Sequence, residues 1–179
     1  QLPFEALEQI NILLEKDSKN NQYLTLKAVN LALANQHDQA LVVFEKIIKD
    51  HGIKNSQLHL SYGHTLRAVG RLDEAIESYK NAISSKTGYG EAYWSLANLK
   101  TYKFTDADMK NLHFLLNDED CKIDDYYHLL FALGKAEEDS KNFKLAMAAY
   151  TKGNTIKSKQ VPWDSKNFTN ECDEIINFF

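Results

Sequence analysis

The sequence predicts an all-α protein built as a stack of helical hairpins, and three observations carry that reading. Only two prolines and seven glycines occur among 179 residues, so little interrupts a helix. No stretch alternates apolar and polar side chains in the two-residue rhythm of a strand. One helical position recurs at near-constant spacing: Ala6, Ala40, Ala75, Met109 and Ala146 stand 34, 35, 34 and 37 residues apart. A period of that length marks one supersecondary unit stacked against the next.

The elements follow in order. Phe4–Lys16 is a second helix without its partner, where Ala6 precedes Ile10 and Leu13, so residues 1–20 form a half repeat. The first whole repeat, about 21–54, pairs a helix at Gln22–Ala34 with one in which Ala40 precedes Phe44 and Ile47. The clearest unit is 55–88. Its first helix, Ser56–Val69, carries Leu58, Tyr62, Leu66 and Val69 at helical spacing, and Gly70-Arg71 breaks it. Its second carries Leu72, Ala75, Ile76, Tyr79, Ala82 and Ile83, with Asp73 and Glu74 in the first turn where the helix dipole favours acids. Gly63 and Ala75 are small where antiparallel helices approach, and Tyr79 is expected to fill the space between one hairpin and the next.

The third repeat, 89–123, is irregular. A first helix is expected over Tyr89–Tyr102, but Ala97 stands where Gly63 did, and Lys100-Thr-Tyr-Lys-Phe replaces the compact turn. Thr105 with Asp108 offers a capping box for the second helix. The fourth repeat, 124–160, restores the pattern with Asp124–Asp139, Leu133-Gly134, Ala146, Tyr150 and Gly153. Val161-Pro162 then stops the array. A last helix over 161–179, opened by Asp164 or Ser165, carries Phe168, Cys172, Ile175, Ile176 and Phe179. It serves either as a cap on the terminal repeat or as the lead-in to a further domain.

The Tyr-Gly pair, the alanine twelve residues on, and the following Tyr and Ala resemble the tetratricopeptide repeat. That resemblance implies a right-handed superhelical solenoid. From Tyr89 to Phe179 the chain also resembles the amino-terminal repeats of bacterial tetratricopeptide-repeat sulfotransferases, through AYWSLANLKTYKFTD from Ala92, LFALGKAEED from Leu130, AMAAYTKGN from Ala146 and the closing IINFF. The resemblance implies a bacterial parent whose catalytic domain, beyond this chain, uses 3′-phosphoadenosine-5′-phosphosulfate. That family's Gly-rich donor-phosphate loop is not in the sequence: Gly88-x-Gly90 is the only close glycine pair, with no strand ahead of it. The chain itself is therefore expected to be non-catalytic and without a cofactor.

Composition narrows the partners. Twenty-one basic against 25 acidic residues leave a net charge of −4, the wrong balance for a nucleic-acid surface. No apolar run is long enough to span a membrane. Cys121 and Cys172 lie far apart without metal-ligand spacing, which fits a reducing, cytoplasmic location. The six histidines form no metal-binding pair, and the acids from Asp118 to Asp125 lack the spacing of a calcium loop. The expectation is a binding module, monomeric, for a protein, peptide or glycan acceptor of that sulfotransferase, or else a stand-alone scaffold for assembling protein complexes.

In a repeat array the first helices line the concave face, and fixed positions of each point into the groove. In the second repeat these are Gln57, Leu60, His64, Arg67 and Ala68; in the third Glu91, Trp94, Asn98, Thr101 and Tyr102; in the fourth His128, Phe131, Lys135, Glu138 and Asp139. The expected ligand-binding residues are His64, Arg67, Trp94, Asn98, Tyr102, Phe131 and Lys135, since aromatic and Arg side chains most often anchor binding. Arg67 and Lys135 suit a carboxylate, though Lys135 can instead pair with Glu138 on its own helix. Thr25, Leu60, Trp94 and Phe131 occupy the place of the lysine in chaperone-tail clamps, so that ligand is not expected.

Overall fold

The computed structural model describes residues 2–51, 55–161 and 165–178, and every described element is a helix. In order these are α1 (Leu2–Lys16), α2 (Asn21–Leu33), α3 (His37–His51), α4 (Ser56–Ala68), α5 (Leu72–Ser85), α6 (Gly90–Ala97), α7 (Asp106–Leu116), α8 (Ile123–Asp139), α9 (Phe143–Gln160) and α10 (Ser165–Phe178). Asn20 caps α2 by accepting from the amides of Gln22 and Tyr23, and Asn55 caps α4 by accepting from Leu58. Thr105 and Asp108 form the expected capping box at the start of α7.

The hairpins α2–α3, α4–α5 and α8–α9 pack along their lengths, and α1 packs on α2. Each second helix also leans on the first helix that follows: α3 on α4, α5 on α6, α7 on α8. First helices meet each other too, α2 with α4 and α6 with α8, so they form the inner layer. Three buried clusters run along the stack, and each draws residues from neighbouring repeats. No hairpin buries its apolar surface alone, which is the physical basis of a solenoid.

The glycine of the second repeat is explained by contact. A Cβ at Gly63 would lie 2.5 Å from the ring of Tyr79, and one at Gly134 equally close to the ring of Tyr150. Tyr79 thus crosses its own hairpin over Gly63 rather than only filling the gap to the next one, and it is fully buried.

The hairpin turns show where the third repeat departs. Asn35, Gly70 and Lys141 take the left-handed conformation at one shared place between first and second helix, with φ of 59°, 82° and 63°. In the third repeat the left-handed residue is Lys100, φ 63°, one helical turn early. The helix expected over Tyr89–Tyr102 therefore ends at Ala97 with Asn98 as its C-cap. The cause is downstream: Tyr102 and Phe104 stack edge to face at 5.2 Å and pack on the buried cluster around α5. Continued helix would have carried Tyr102 away from that cluster.

Gly88 lies between α5 and α6, Gly90 opens α6, and no described strand precedes them. The Gly90 amide, which a phosphate would need, donates to Asp125 Oδ1 at 2.9 Å. These residues do not fit a nucleotide sulfate donor. At the carboxyl end α10 leaves Phe168, Ile175, Ile176 and Phe178 exposed, and α9 leaves Phe143 and Met147 exposed. Pro162, Asp164 and Phe179 lie outside the described residues.

Candidate functional site: two cavities on the inner layer

The first cavity, about 230 Å³, lies between α2 and α4. Val29, Ala32 and Leu33 form one wall, Ser61, His64 and Thr65 the other, and His37 closes it at the start of α3. His64 Nδ1 and the Tyr79 hydroxyl share a 2.9 Å hydrogen bond, with their rings edge to face. Burial, aided by the Arg67 charge, holds the His64 pKa below its ordinary 6.5, so the ring is neutral near pH 7. Burial also pushes the Tyr79 hydroxyl up to about 12, which keeps it protonated. Arg67 follows His64 on α4. It is exposed, and among the described residues it makes no ion pair.

The second cavity, about 430 Å³, is walled by Trp94 from α6, Tyr127, His128 and Phe131 from α8, and Tyr150, Asn154 and Lys157 from α9. Trp94 is partly buried and meets Phe131 with ring centroids 5.5 Å apart and planes tilted by 49°. Tyr127 meets Phe131 at 6.1 Å, edge to face. Aromatic pairs prefer such offset or tilted geometry, so the three rings form a preassembled wall. Phe131 also lies over Gly153 of α9, where a Cβ would be 3.0 Å from its ring.

Of the seven residues the sequence singled out, His64 borders the first cavity, Arg67 follows it on α4, and Trp94 with Phe131 belongs to the second. The other three stand apart. Asn98 is exposed at the C-cap of α6. Tyr102 donates its hydroxyl to Asp108 Oδ2 at 2.8 Å and lies 5.2 Å from the ammonium of Lys80, so it serves the turn. Lys135 donates to Asp139, which also pairs with Lys103 at 3.0 Å. The pairing partner is Asp139, not Glu138, because Glu138 accepts the Tyr150 hydroxyl at 2.8 Å. Burial works to raise the Asp139 pKa, but the two lysines outweigh it and hold the carboxyl below its usual range. Lys135 is therefore engaged already.

Val29, Ala32 and Leu33 were legible: the positional rule that selects His64 and Arg67 selects them in the first repeat. Tyr127 and Lys157 were not. The rule's groove positions in the fourth repeat begin at His128, so Tyr127 falls outside them, and Lys157 sits on a second helix that the rule ignores. Among the described residues no cluster of His, Cys, Asp and Glu could hold a metal ion, and no helix is long and apolar enough to cross a membrane.

With this geometry in hand, comparison with known proteins is direct. The tetratricopeptide-repeat sequence pattern matches residues 56–89, which is the α4–α5 hairpin. The chain folds as a tetratricopeptide-repeat solenoid. A crystal structure of MamA is similar over 88% of this chain and 90% of its own, with 14% identity and a TM-score of 0.64. MamA residues 41 to the end from Desulfovibrio magneticus RS-1 align over 89% and 88%, with 16% identity and a TM-score of 0.61. At such identities the likeness is one of fold. No curated protein matches the chain in sequence.

Proposed function

We propose that this chain is a non-catalytic binding module that captures an extended segment of a partner protein on its inner layer. The observation that carries the reading is Arg67, an exposed cation without an ion pair among the described residues, three residues after His64, which lines an apolar cavity. An unpaired guanidinium offers bidentate hydrogen bonds to a carboxylate, and the aliphatic wall offers an anchor for an apolar side chain. The module acts as a monomer in the cytoplasm, where its free Cys121 and Cys172 stay reduced.

The test starts from a random peptide library panned on the folded chain. Arg67→Ala should weaken the selected peptides about tenfold, and the double change with Trp94→Ala should abolish capture while far-ultraviolet circular dichroism stays unchanged. Unaltered binding by the double variant would remove the inner layer as the site.

The finer proposal, that the module presents a protein or glycan acceptor to a sulfotransferase domain, rests on the resemblance of residues 89–179 alone. Gene sequence beyond the Phe179 codon decides it. A strand, a Gly-rich loop and a helix would support it, and further repeats would favour a scaffold for complex assembly.

A further inference from the structure

We propose that the second cavity is a subsite for an aromatic residue flanked by a carboxylate in the partner peptide. The inference rests on the peptide-binding reading and gives it a chemistry. The rings of Trp94, Phe131 and Tyr127 supply the apolar wall, and a guest ring can meet them at the centroid separations of about 4.5–7 Å that aromatic pairs favour. A cavity of about 430 Å³ falls within the range that holds small ligands and large side chains.

The carboxylate is argued from Lys157. Its ammonium lies 4.7 Å from the centroid of the Tyr127 ring and donates to the Tyr127 hydroxyl at 3.1 Å. A longer contact of 3.5 Å reaches Gln160. Among the described residues it has no carboxylate partner. The nearby acids are otherwise engaged: Asp124 accepts from Gln160 at 2.8 Å, Glu138 from Tyr150, and Asp125 from Lys86 and Gly90. Glu91, exposed on α6, and Asp125 both act on His128, whereas Lys157 is the lysine among the residues that wall the cavity, so a ligand's negative charge is drawn towards Lys157. Burial lowers the His128 pKa, which keeps that wall uncharged. A basic residue beside the guest ring would instead meet Lys157 as a like charge.

The experiment uses the Trp163→Phe chain, in which Trp94 is the only tryptophan. Three blocked dipeptides are titrated: N-acetyl-Phe-Glu-amide, N-acetyl-Phe-Lys-amide and N-acetyl-Ala-Glu-amide. The expected result is a saturable change in Trp94 fluorescence with Phe-Glu at millimolar concentration, with the other two at least about fivefold weaker. Lys157→Met keeps the apolar stem and removes the charge, and it should weaken Phe-Glu about fivefold.

Equal binding of Phe-Lys, an unaffected Lys157→Met variant, or no Trp94 response to any dipeptide would each overturn the subsite. Amide NMR mapping in the same titration separates this from failure of the wider reading. Shifts confined to the α2–α4 cavity would remove the subsite and leave peptide binding standing. Library peptides indifferent to the Arg67 and Trp94 changes would remove the wider reading.

Discussion

In the α4–α5 hairpin the ring of Tyr79 lies over Gly63 and its hydroxyl reaches His64 at 2.9 Å, whereas the α6–α7 segment is held mainly from outside itself. There α6 packs lengthwise on α8, while α7 leans on α8. Tyr93 and Ala97 of α6 share a buried cluster with Leu112 and Leu115 of α7, but Leu129 and Ala132 of α8 complete it, and the polar ties within the segment are few. Asp108 accepts from the Thr105 amide and hydroxyl and from Tyr102, each at 2.8 Å, and Asn111 donates to Tyr93 at 2.5 Å. The two regions share a repeat pattern but not a source of stability. A small residue with a ring across it ties the two helices of one hairpin together, although neighbours complete its buried cluster; without it the other leans mainly on α8.

The sharpest way to break the comparison is at Gly90. A Cβ there would lie 2.1 Å from the backbone carbonyl oxygen of Asp125, and backbone cannot step aside. Gly90→Ala should cost about 3 kcal/mol in denaturant unfolding and loosen α6 from α8. Gly63→Ala meets only the Tyr79 ring and should cost about 2 kcal/mol, part of which returns when Tyr79→Leu is added in a double-mutant cycle. If the Gly90 change proves the milder, the third repeat is not held by α8. Asp108→Ala should cost about 1 kcal/mol and speed amide exchange in α7 while leaving α4–α5 protected.

The smallest effect is on pH dependence. His64 and His128 both have folded pKa values below their ordinary 6.5, each mainly through burial. The unfolded chain therefore binds their protons first as pH falls. Stability is full above 6.5 and declines below it, levelling off once the folded pKa values are passed. Melting temperatures measured across that window should fall, and His64→Gln with His128→Gln should flatten the slope.

Much of this could be read in the residues beforehand. The helical fold, the α4–α5 repeat and the Thr105–Asp108 capping box follow from spacing and local chemistry, which act over a few residues. The early end of α6 did not, because it depends on Tyr102 and Phe104 finding a cluster assembled by α4 and α5. For the same reason the groove positions selected Tyr102, which local helix geometry alone would have pointed inward, beside His64, Trp94 and Phe131, which border cavities. Lys135 was placed well and spoken for: the partner that engages it, Asp139, is itself fixed by Lys103 from another element. Lys157 escaped notice because its role comes from the approach of α9 to α8, a long-range fact.

The contact between Gly90 and Asp125 has a further consequence, for the order in which the protein can assemble. Synthesis runs from the amino terminus, and most contacts in a repeat array form between near neighbours, so α2–α3 and α4–α5 can set as each emerges from the ribosome. The segment from Gly90 to Leu116 cannot follow that rhythm. Its anchor lies on α8, which leaves the ribosome after it, so the third repeat waits unfinished until the fourth arrives and the two are completed together.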